Sequence, residues 1–389
     1  MSGALRVAVD YRPVEGRRAG IGRYVHEILQ RMYARPECEF SLISTRPFRP
    51  IAAVRSRWDL DRPGPRLAVP FPLKKIIRLC YTEPAAHAML KRLRIDVLWG
   101  TTYFFPLGLD QGPWKRVVTV HDLASRYYPE ALDAPMLGQF NRLEEHLAAA
   151  DKVLAVSETT KRDLVKLLNV APEKVEVVYN GVSERFRRLD RVPESVRLRY
   201  RLPERFLLFV GTVEPRKNLT RLIKAFDAAA RTIPHALVIV GAKGWKTAPM
   251  YRAITESPFR DRILFTGYVD DDDLPALYNL ADALVYPSLY EGFGIPVVEA
   301  MACGTPVMTS NGSALAEIAD GAAVLVDPLD VGRMGEAIER VVGDEGLRAD
   351  LRAKGFERAR RFSWDVAASQ VVACFQALCG RPASVSGAR

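Results

Sequence analysis

The feature that most constrains this 389-residue chain is an alternation of short β-rich runs with helical patterns that passes along the sequence twice. The first series is LRVAVD (5–10), FSLIST (40–45), IDVLWG (95–100), RVVTVH (116–121), KVLAVS (152–157) and VEVVYN (175–180). The second is FLLFVG (206–211), ALVIVG (236–241), RILFTG (262–267), ALVYPS (283–288), TPVMTS (305–310) and AAVLVD (322–327). Near-continuous apolar runs separated by helices belong to parallel strands buried on both faces, so the pattern predicts an α/β protein. A chain of this length suits two domains, each with its own core. The series restarts after SERFRRLDRVPESVRLRYRLPER (183–205), a charge-dense stretch with prolines at 193 and 203, which reads as a linker with a short polar helix. The expected division is a first doubly wound, Rossmann-like domain over 1–185, a linker over 186–205, a second such domain over 206–365 and a tail over 366–389. That tail holds most of SWDVAASQVVACFQALCG (363–380), an amphipathic helix that closes the second domain or crosses back to the first. Ligands of open parallel sheets bind beyond the carboxyl ends of the strands, so the two domains are expected to face one another across a cleft.

Charge narrows the class further. The net charge is +10, yet residues 1–94 alone carry 19 Lys and Arg against 8 Asp and Glu. The first half is therefore basic and the remainder nearly neutral. FPLKKIIRLCY (71–81) and MLKRLRID (89–96) interleave cations with apolar residues, as a surface meeting anionic lipid headgroups does; a merely solvated basic face has the same composition. The start MSGALRVAVDYR lacks the pattern of a signal peptide, and no apolar run approaches the roughly 20 residues of a membrane span, so a cytoplasmic protein is expected. Cys38, Cys80, Cys303, Cys374 and Cys379 are scattered without C-x-x-C spacing, and read as core thiols rather than a disulfide framework or zinc site. No nucleic-acid-binding module is recognisable. Neither glycine-rich stretch supplies G-x-G-x-x-G with an acidic ribose partner, which argues against a dinucleotide enzyme.

The candidate chemistry lies just after predicted strands. In YEGFGIPVVEAMACGTPV (290–307), a loop with Gly292 and Gly294 leads to Pro296, where a helix begins, and Gly304 ends it. Free amides at that helix start suit a phosphate, and Glu291 and Glu299 lie on either side of it. Carboxylates accept hydrogen bonds from paired hydroxyls, so this spacing fits a nucleotide sugar, with ribose at one end of a diphosphate and hexose at the other. The alternative is that Glu291 is a surface-loop residue and Glu299 a solvated helical one. GTVEPRKNLTRLIKAF (211–226) adds Arg216 and Lys217 ahead of Asn218, the expected N-cap of a helix with core stripe Leu219, Leu222, Ile223 and Phe226. Two cations at a helix start oppose the helix dipole unless an anion is near. In the first half, Gly20 and Gly22 open a helix after the first strand, His121 and Asp122 close RVVTV, and an Asn-Gly turn (180–181) follows VEVVY. The acidic run at 270–273 reads as first-turn aspartates with an N-cap, not as a metal site.

Together these residues resemble the retaining nucleotide-sugar glycosyltransferases of family 4, which have the GT-B architecture. The resemblance rests on EGFGIPVVEAMACGTPV, GTVEPRKN, GIGRYVHEI, TVHDLA, VLAVSETTKRDL, VVYNGV and ILFTGYVDDDDLPALYNLADALVYPS, in the expected order over nearly the whole chain. The wording is most similar to bacterial mannosyl- and rhamnosyltransferases that build O-antigen and related polysaccharides. It implies that Glu291 faces the donor sugar, Glu299 meets the ribose hydroxyls, and the backbone at Phe293, Gly294 and Ile295 meets sugar and phosphate. Arg216 and Lys217 would stabilise the leaving diphosphate, His121 would lie against the sugar, Gly22 near the diphosphate, and Gly267, Tyr268 and Val269 against the base. Gly211 keeps its expected place, whereas Thr212 stands where many members carry arginine, making Arg216 the candidate replacement. The resemblance further implies a metal-independent reaction without cofactor, attack on the same sugar face that the diphosphate leaves, and no protein nucleophile. The expected partners are a nucleotide-diphosphate sugar, GDP-mannose or a related deoxyhexose donor, and a lipid-linked glycan at the cytoplasmic face of the inner membrane, with no nucleic acid. A non-catalytic nucleotide-sugar or polyanion binder, and an epimerase or phosphorylase on the same fold, are the competing readings.

Overall fold

The computed structural model describes residues 4–14, 20–33, 35–44, 66–68, 83–106 and 108–382. The basic stretch 71–81, Cys80, most of the loop 45–82 and the end of the tail lie outside the described residues. Two compact units emerge. The first contains the described residues up to His121, Gly138–Asn180 and the chain from Trp364 onward; the second contains Asp122–Leu137 and Gly181–Ser363.

In the first unit, β1 (Leu5–Asp10), β2 (Cys38–Ser44), β3 (Arg66–Ala68), β4 (Val97–Gly100), β5 (Lys115–Val120), β6 (Lys152–Ala155) and β7 (Val175–Val177) form a sheet in the order β3-β2-β1-β4-β5-β6-β7. All its pairings are parallel, with Val7 opposite both Phe40 and Val97. β3 was not expected: RLA is too short to register as an apolar run, and it is a strand only because β2 offers it a paired edge. The amphipathic helix Gly20–Tyr33 packs with the C-terminal helix Trp364–Leu378 through Tyr24 and Trp364, and Arg31 reaches Asp365 at 3.2 Å. The tail helix thus belongs to the first unit. Trp99, Tyr24 and Phe375 are buried at the centre of this core.

The second unit repeats the design with β8 (Phe206–Val210), β9 (Ala236–Val240), β10 (Ile263–Gly267), β11 (Ala283–Tyr286), β12 (Val307–Ser310) and β13 (Val324–Val326), ordered β10-β9-β8-β11-β12-β13 and parallel throughout. β8, β9, β11 and β12 are buried along their whole length, as strands covered on both faces must be. The helix Leu219–Ala229 buries Leu219, Leu222, Ile223 and Phe226, spaced as one helical stripe. Burial of each such side chain is worth about 1.5–3 kcal/mol.

The polar stretch 183–205 is part of this second unit, not a free tether. Its helix Glu194–Tyr200 is fixed by hydrogen bonds from Arg199 and Tyr200 to Asp273, and Asn279 binds the backbone at Arg187 and Leu189. Asp273 does begin the helix Leu274–Leu280, but its side chain makes no cap, because Arg199 and Tyr200 engage the carboxylate.

In each sheet the strand order reverses once, between β1 and β4 and between β8 and β11. The carboxyl ends of strands at such a reversal leave a crevice where ligands bind.

Candidate active site

In the second unit, β8 runs out at Val210 and the chain passes Gly211 and Thr212 into a single tight turn, Pro215–Lys217. Gly211 is held against the loop after β9: a Cβ on Gly241, whose φ is +153°, would stand 1.8 Å from the Gly211 carbonyl oxygen. Only glycine allows that approach. Asn218 follows with φ 61° and begins the helix Leu219–Ala229, yet it does not cap it. Its amide instead donates to the carbonyls of Pro287 (3.1 Å) and Pro328 (2.6 Å), tying the turn to the loops after β11 and β13.

That loop carries Glu291 into the turn's cations. Lys217 Nζ donates to Glu291 Oε1 at 2.5 Å and to the Tyr286 hydroxyl at 2.8 Å, and the Tyr286 hydroxyl donates to Glu291 Oε1 at 3.0 Å. Arg216 donates to Glu291 Oε2 (2.8 Å), to the Tyr290 carbonyl (2.7 Å) and to Glu214 Oε1 (2.7 Å). Glu291 is 7 % exposed and Lys217 8 %. Two cations face two carboxylates in a nearly dry site, where Coulomb interactions are strong and unpaired charge is costly.

The electrostatics follow. Burial by itself pushes the Glu291 carboxyl up, but Arg216 and Lys217 overcome it and hold the group at about 2. Burial pushes the Lys217 ammonium down, and Glu291 reverses that, so the ammonium sits above the usual lysine range. Arg216 is likewise raised, burial being overcome by Glu291, Glu214 and Asp122. The Tyr286 phenol is pushed up to about 12 by burial and by Glu291. At neutral pH Lys217 and Arg216 are therefore cations, Glu291 an anion and Tyr286 a neutral phenol.

Beyond Glu291 the loop turns at Gly294, with φ 106°, into the helix Ile295–Ala302 with Pro296 in its first turn. A Cβ on Gly294 would stand 2.6 Å from Leu315 Cδ2. Phe293 is buried edge-on against Phe362 at 5.3 Å between ring centroids, so what it offers a ligand is backbone. Glu299, 2 % exposed, accepts a hydrogen bond from the Tyr278 hydroxyl at 2.9 Å. Neither glutamate is a solvated surface residue. At the end of β10 the register shifts between Phe265 and Gly267; Tyr268 is left 48 % exposed while Val269 is buried.

In the first unit, His121 follows β5, and its Nε2–H donates to the Thr101 carbonyl at 2.9 Å. Its ring stands edge-on to Tyr24 (4.9 Å) and Tyr103 (5.8 Å). Gly22 is buried in the first turn of Gly20–Tyr33, the helix that also carries Tyr24. Asp10, at the end of β1, is buried and receives Arg12 Nε at 2.7 Å.

The family model described as Glycosyltransferase Family 4 matches residues 18–186, and that described as Glycosyl transferases group 1 matches residues 194–358. The chain belongs to the family 4 glycosyltransferases. It is 28 % identical over 391 residues to O-antigen chain mannosyltransferase B of Escherichia coli, an alignment covering 96 % of this chain and all of that one. Among solved structures, sucrose-phosphate synthase from Thermosynechococcus elongatus superposes with a TM-score of 0.78 at 23 % identity, over 97 % of this chain and 99 % of that one. HepE from Anabaena, solved with UDP and glucose, superposes with a TM-score of 0.73 at 19 % identity, over 96 % and 100 %. The fold is that of the GT-B glycosyltransferases.

Of the residues singled out in this glycosyltransferase, Arg216, Lys217 and Glu291 meet directly, and Gly211 stands beside them, its Cβ position 3.6 Å from Lys217 Cε. Phe293, Gly294 and Ile295 lead directly from Glu291 into the helix that carries Glu299. Tyr268 and Val269 sit two strands away, past β10. The anions that offset the cations ahead of Leu219–Ala229 turn out to be the protein's own, Glu214 and Glu291.

Sequence reading missed Glu214, Tyr286 and Tyr278. Glu214 was visible as the acid two positions before Arg216. Nothing local marks Tyr286 and Tyr278, and only the fold points their hydroxyls at Glu291 and Glu299. The segment Asp122–Leu137 was missed as well. It belongs to the second unit, where Tyr127 stacks on Tyr290 at 4.9 Å, and Trp245 and Lys246 donate to the carbonyls of Ala131, Glu130 and Leu132.

Proposed function

We propose that this glycosyltransferase moves a hexose, mannose or a related deoxyhexose, from a GDP-linked donor to a lipid-linked glycan in the synthesis of a cell-surface polysaccharide. The observation that carries this reading is the buried cluster of Lys217, Arg216 and Glu291 at the carboxyl ends of β8 and β11, beside the start of the helix Ile295–Ala302. Mannose is favoured by the likeness to an O-antigen mannosyltransferase along the whole chain.

Breaking the bond between sugar and diphosphate builds negative charge on the leaving phosphate and positive charge on the anomeric carbon. Lys217 and the helix-start amides meet the first, with no metal called upon. Glu291 lies where a sugar hydroxyl would be accepted, and Glu299 where the ribose would be. Because Glu291 is tied up by two cations, it is no nucleophile in this scheme. Attack comes from the acceptor on the face the phosphate leaves, and that phosphate takes the hydroxyl proton. The family resemblance gives His121 the sugar and Gly22 the diphosphate. Arg216, with Glu214, Glu291 and the Tyr290 carbonyl as partners, shapes the site and adds positive potential in place of the arginine that Thr212 replaces.

The enzyme is proposed to work at the cytoplasmic face of the membrane through its basic first half. Lys91, Arg92 and Arg94 are exposed there. Among the described residues no helix is long and apolar enough to cross a membrane.

A thermal-shift panel of GDP-, UDP- and dTDP-sugars tests the donor, followed by nucleoside diphosphate release with and without a polyprenyl-diphosphate-linked glycan. Stabilisation by GDP-mannose and acceptor-dependent GDP release are expected. Binding to no nucleotide sugar would refute the reading, and binding without turnover would favour a sensor.

A further inference from the structure

Lys217 has three ammonium hydrogens in a tetrahedral array, and two are committed: one to Glu291 Oε1 at 2.5 Å and one to the Tyr286 hydroxyl at 2.8 Å. With two directions pinned, the third is set. We infer that Tyr286 is a positioning residue of the transfer reaction, its hydroxyl aiming the remaining N–H of Lys217 at the leaving phosphate. The inference rests on the proposed role of Lys217 toward the diphosphate and gives a role to a residue that the motif ending in ALVYPS contains without assigning it one.

The Tyr286 hydroxyl is suited to the task because it accepts from Lys217 and donates to Glu291 at once, closing a three-membered ring of hydrogen bonds. Its own placement is rigid. Tyr286 is the last residue of β11, 1 % exposed, its ring stacked on Phe209 at 5.6 Å and 21°, and its carbonyl receives the Thr309 hydroxyl at 2.8 Å. β11 is one of the two strands at the sheet's reversal, so the phenol is anchored to the rigid part of the fold rather than to the loop. Lysine is a flexible point charge on a four-carbon stem. Without the phenol, the ammonium is drawn to Glu291 alone and loses the second anchor that fixes its rotation. When a phosphate arrives, both anchors stay in place, and Lys217 meets it with the third N–H alone.

The test compares Tyr286→Phe, which keeps the ring stack, with Arg262→Met, which removes hydrogen bonds to the carbonyls of Ala230, Ile233 and His235 in the same unit but leaves the phenol and its neighbours unchanged. Donor KM and kcat are measured from nucleoside diphosphate release with GDP-mannose, alongside thermal midpoints. If the wild type does not turn over GDP-mannose, that counts against the proposed donor alone, and the ratios are taken on whichever UDP- or dTDP-sugar it uses. The expected result for Tyr286→Phe is a kcat lowered about 10- to 100-fold with donor KM within about threefold of wild type. Arg262→Met should keep near-normal kcat even where its thermal midpoint falls further. A Tyr286→Phe kcat within twofold of wild type, or losses of activity that track the thermal midpoint in both variants, would overturn the inference.

Discussion

Lys217 Nζ stands 2.5 Å from Glu291 Oε1 although 74 residues separate the two in the chain. Both are buried; Glu291 keeps Lys217 charged, and Arg216 and Lys217 together keep Glu291 ionised. This pair joins the turn after β8 to the loop after β11, so folding of the second unit and formation of this buried charge cluster are one event.

Replacing Lys217 by methionine keeps the length of the side chain and removes the charge. Turnover should fall by about 10²–10³, the scale for removing a group that stabilises developing negative charge. Arg216 still holds Glu291, so the stability loss should lie at the low end for a broken buried pair, about 3 kcal/mol. Steady-state kinetics and urea unfolding measure the two effects separately, and unchanged turnover would remove Lys217 from the mechanism.

Acid should weaken the second unit through Glu291. Its folded-state pKa, about 2, lies below the ordinary 4.5, so its contribution is complete above pH 4.5 and is lost as the pH falls toward 2. The contribution is on the order of 3 kcal/mol. Urea unfolding of wild type and Glu291→Gln at pH 7, 4 and 3 should show the wild-type advantage shrinking as the pH drops. An advantage independent of pH would contradict the ionised, cation-held carboxylate.

Gly294→Ala should be disproportionately harmful for one methyl group. The backbone there has φ 106°, and the new Cβ would press on buried Leu315 at 2.6 Å. A cost of about 1–3 kcal/mol is expected from the backbone alone. Because Gly294 directly precedes the helix start, donor KM should rise as well. Thermal unfolding and donor kinetics check this, and a variant equal to wild type in both would mean that the turn can relax.

Tyr278→Phe removes the hydroxyl that donates to Glu299 at 2.9 Å. Losing one hydrogen bond to a buried carboxylate should cost about 1–3 kcal/mol. If Glu299 holds the ribose, donor KM should rise several-fold while kcat at saturating donor changes little. A fall in kcat with unchanged KM would place Glu299 in the chemistry instead.

Much of this was legible in the sequence, for identifiable reasons. Strands such as Leu5–Asp10 and Phe206–Val210 announce themselves because buried parallel strands need unbroken apolar runs. The helix Ile295–Ala302 was marked by Pro296 and the glycines around it, and the stripe of Leu219–Ala229 by its spacing. β3 was not legible, since three residues carry no pattern and pairing with β2 alone makes them a strand. Asn218 and one of the aspartates at 270–273 were read as caps from a local rule, and Asn218 and Asp273 do occupy the cap positions. In each case distant partners won the side chain: the carbonyls of Pro287 and Pro328 for Asn218, and Arg199 with Tyr200 for Asp273.

The amino-acid order alone determined the two parallel sheets, the glycosyltransferase family and the short list of charged residues near strand ends, because periodicity and turn chemistry act over a few residues. Only the tertiary structure decided that Glu291 is gripped by Lys217 and Arg216, that Tyr286 completes the arrangement, and that the 183–205 stretch and the tail helix go to opposite units. Those outcomes depend on which groups meet after burial, where the cost of an unpaired charge selects partners that no local pattern encodes.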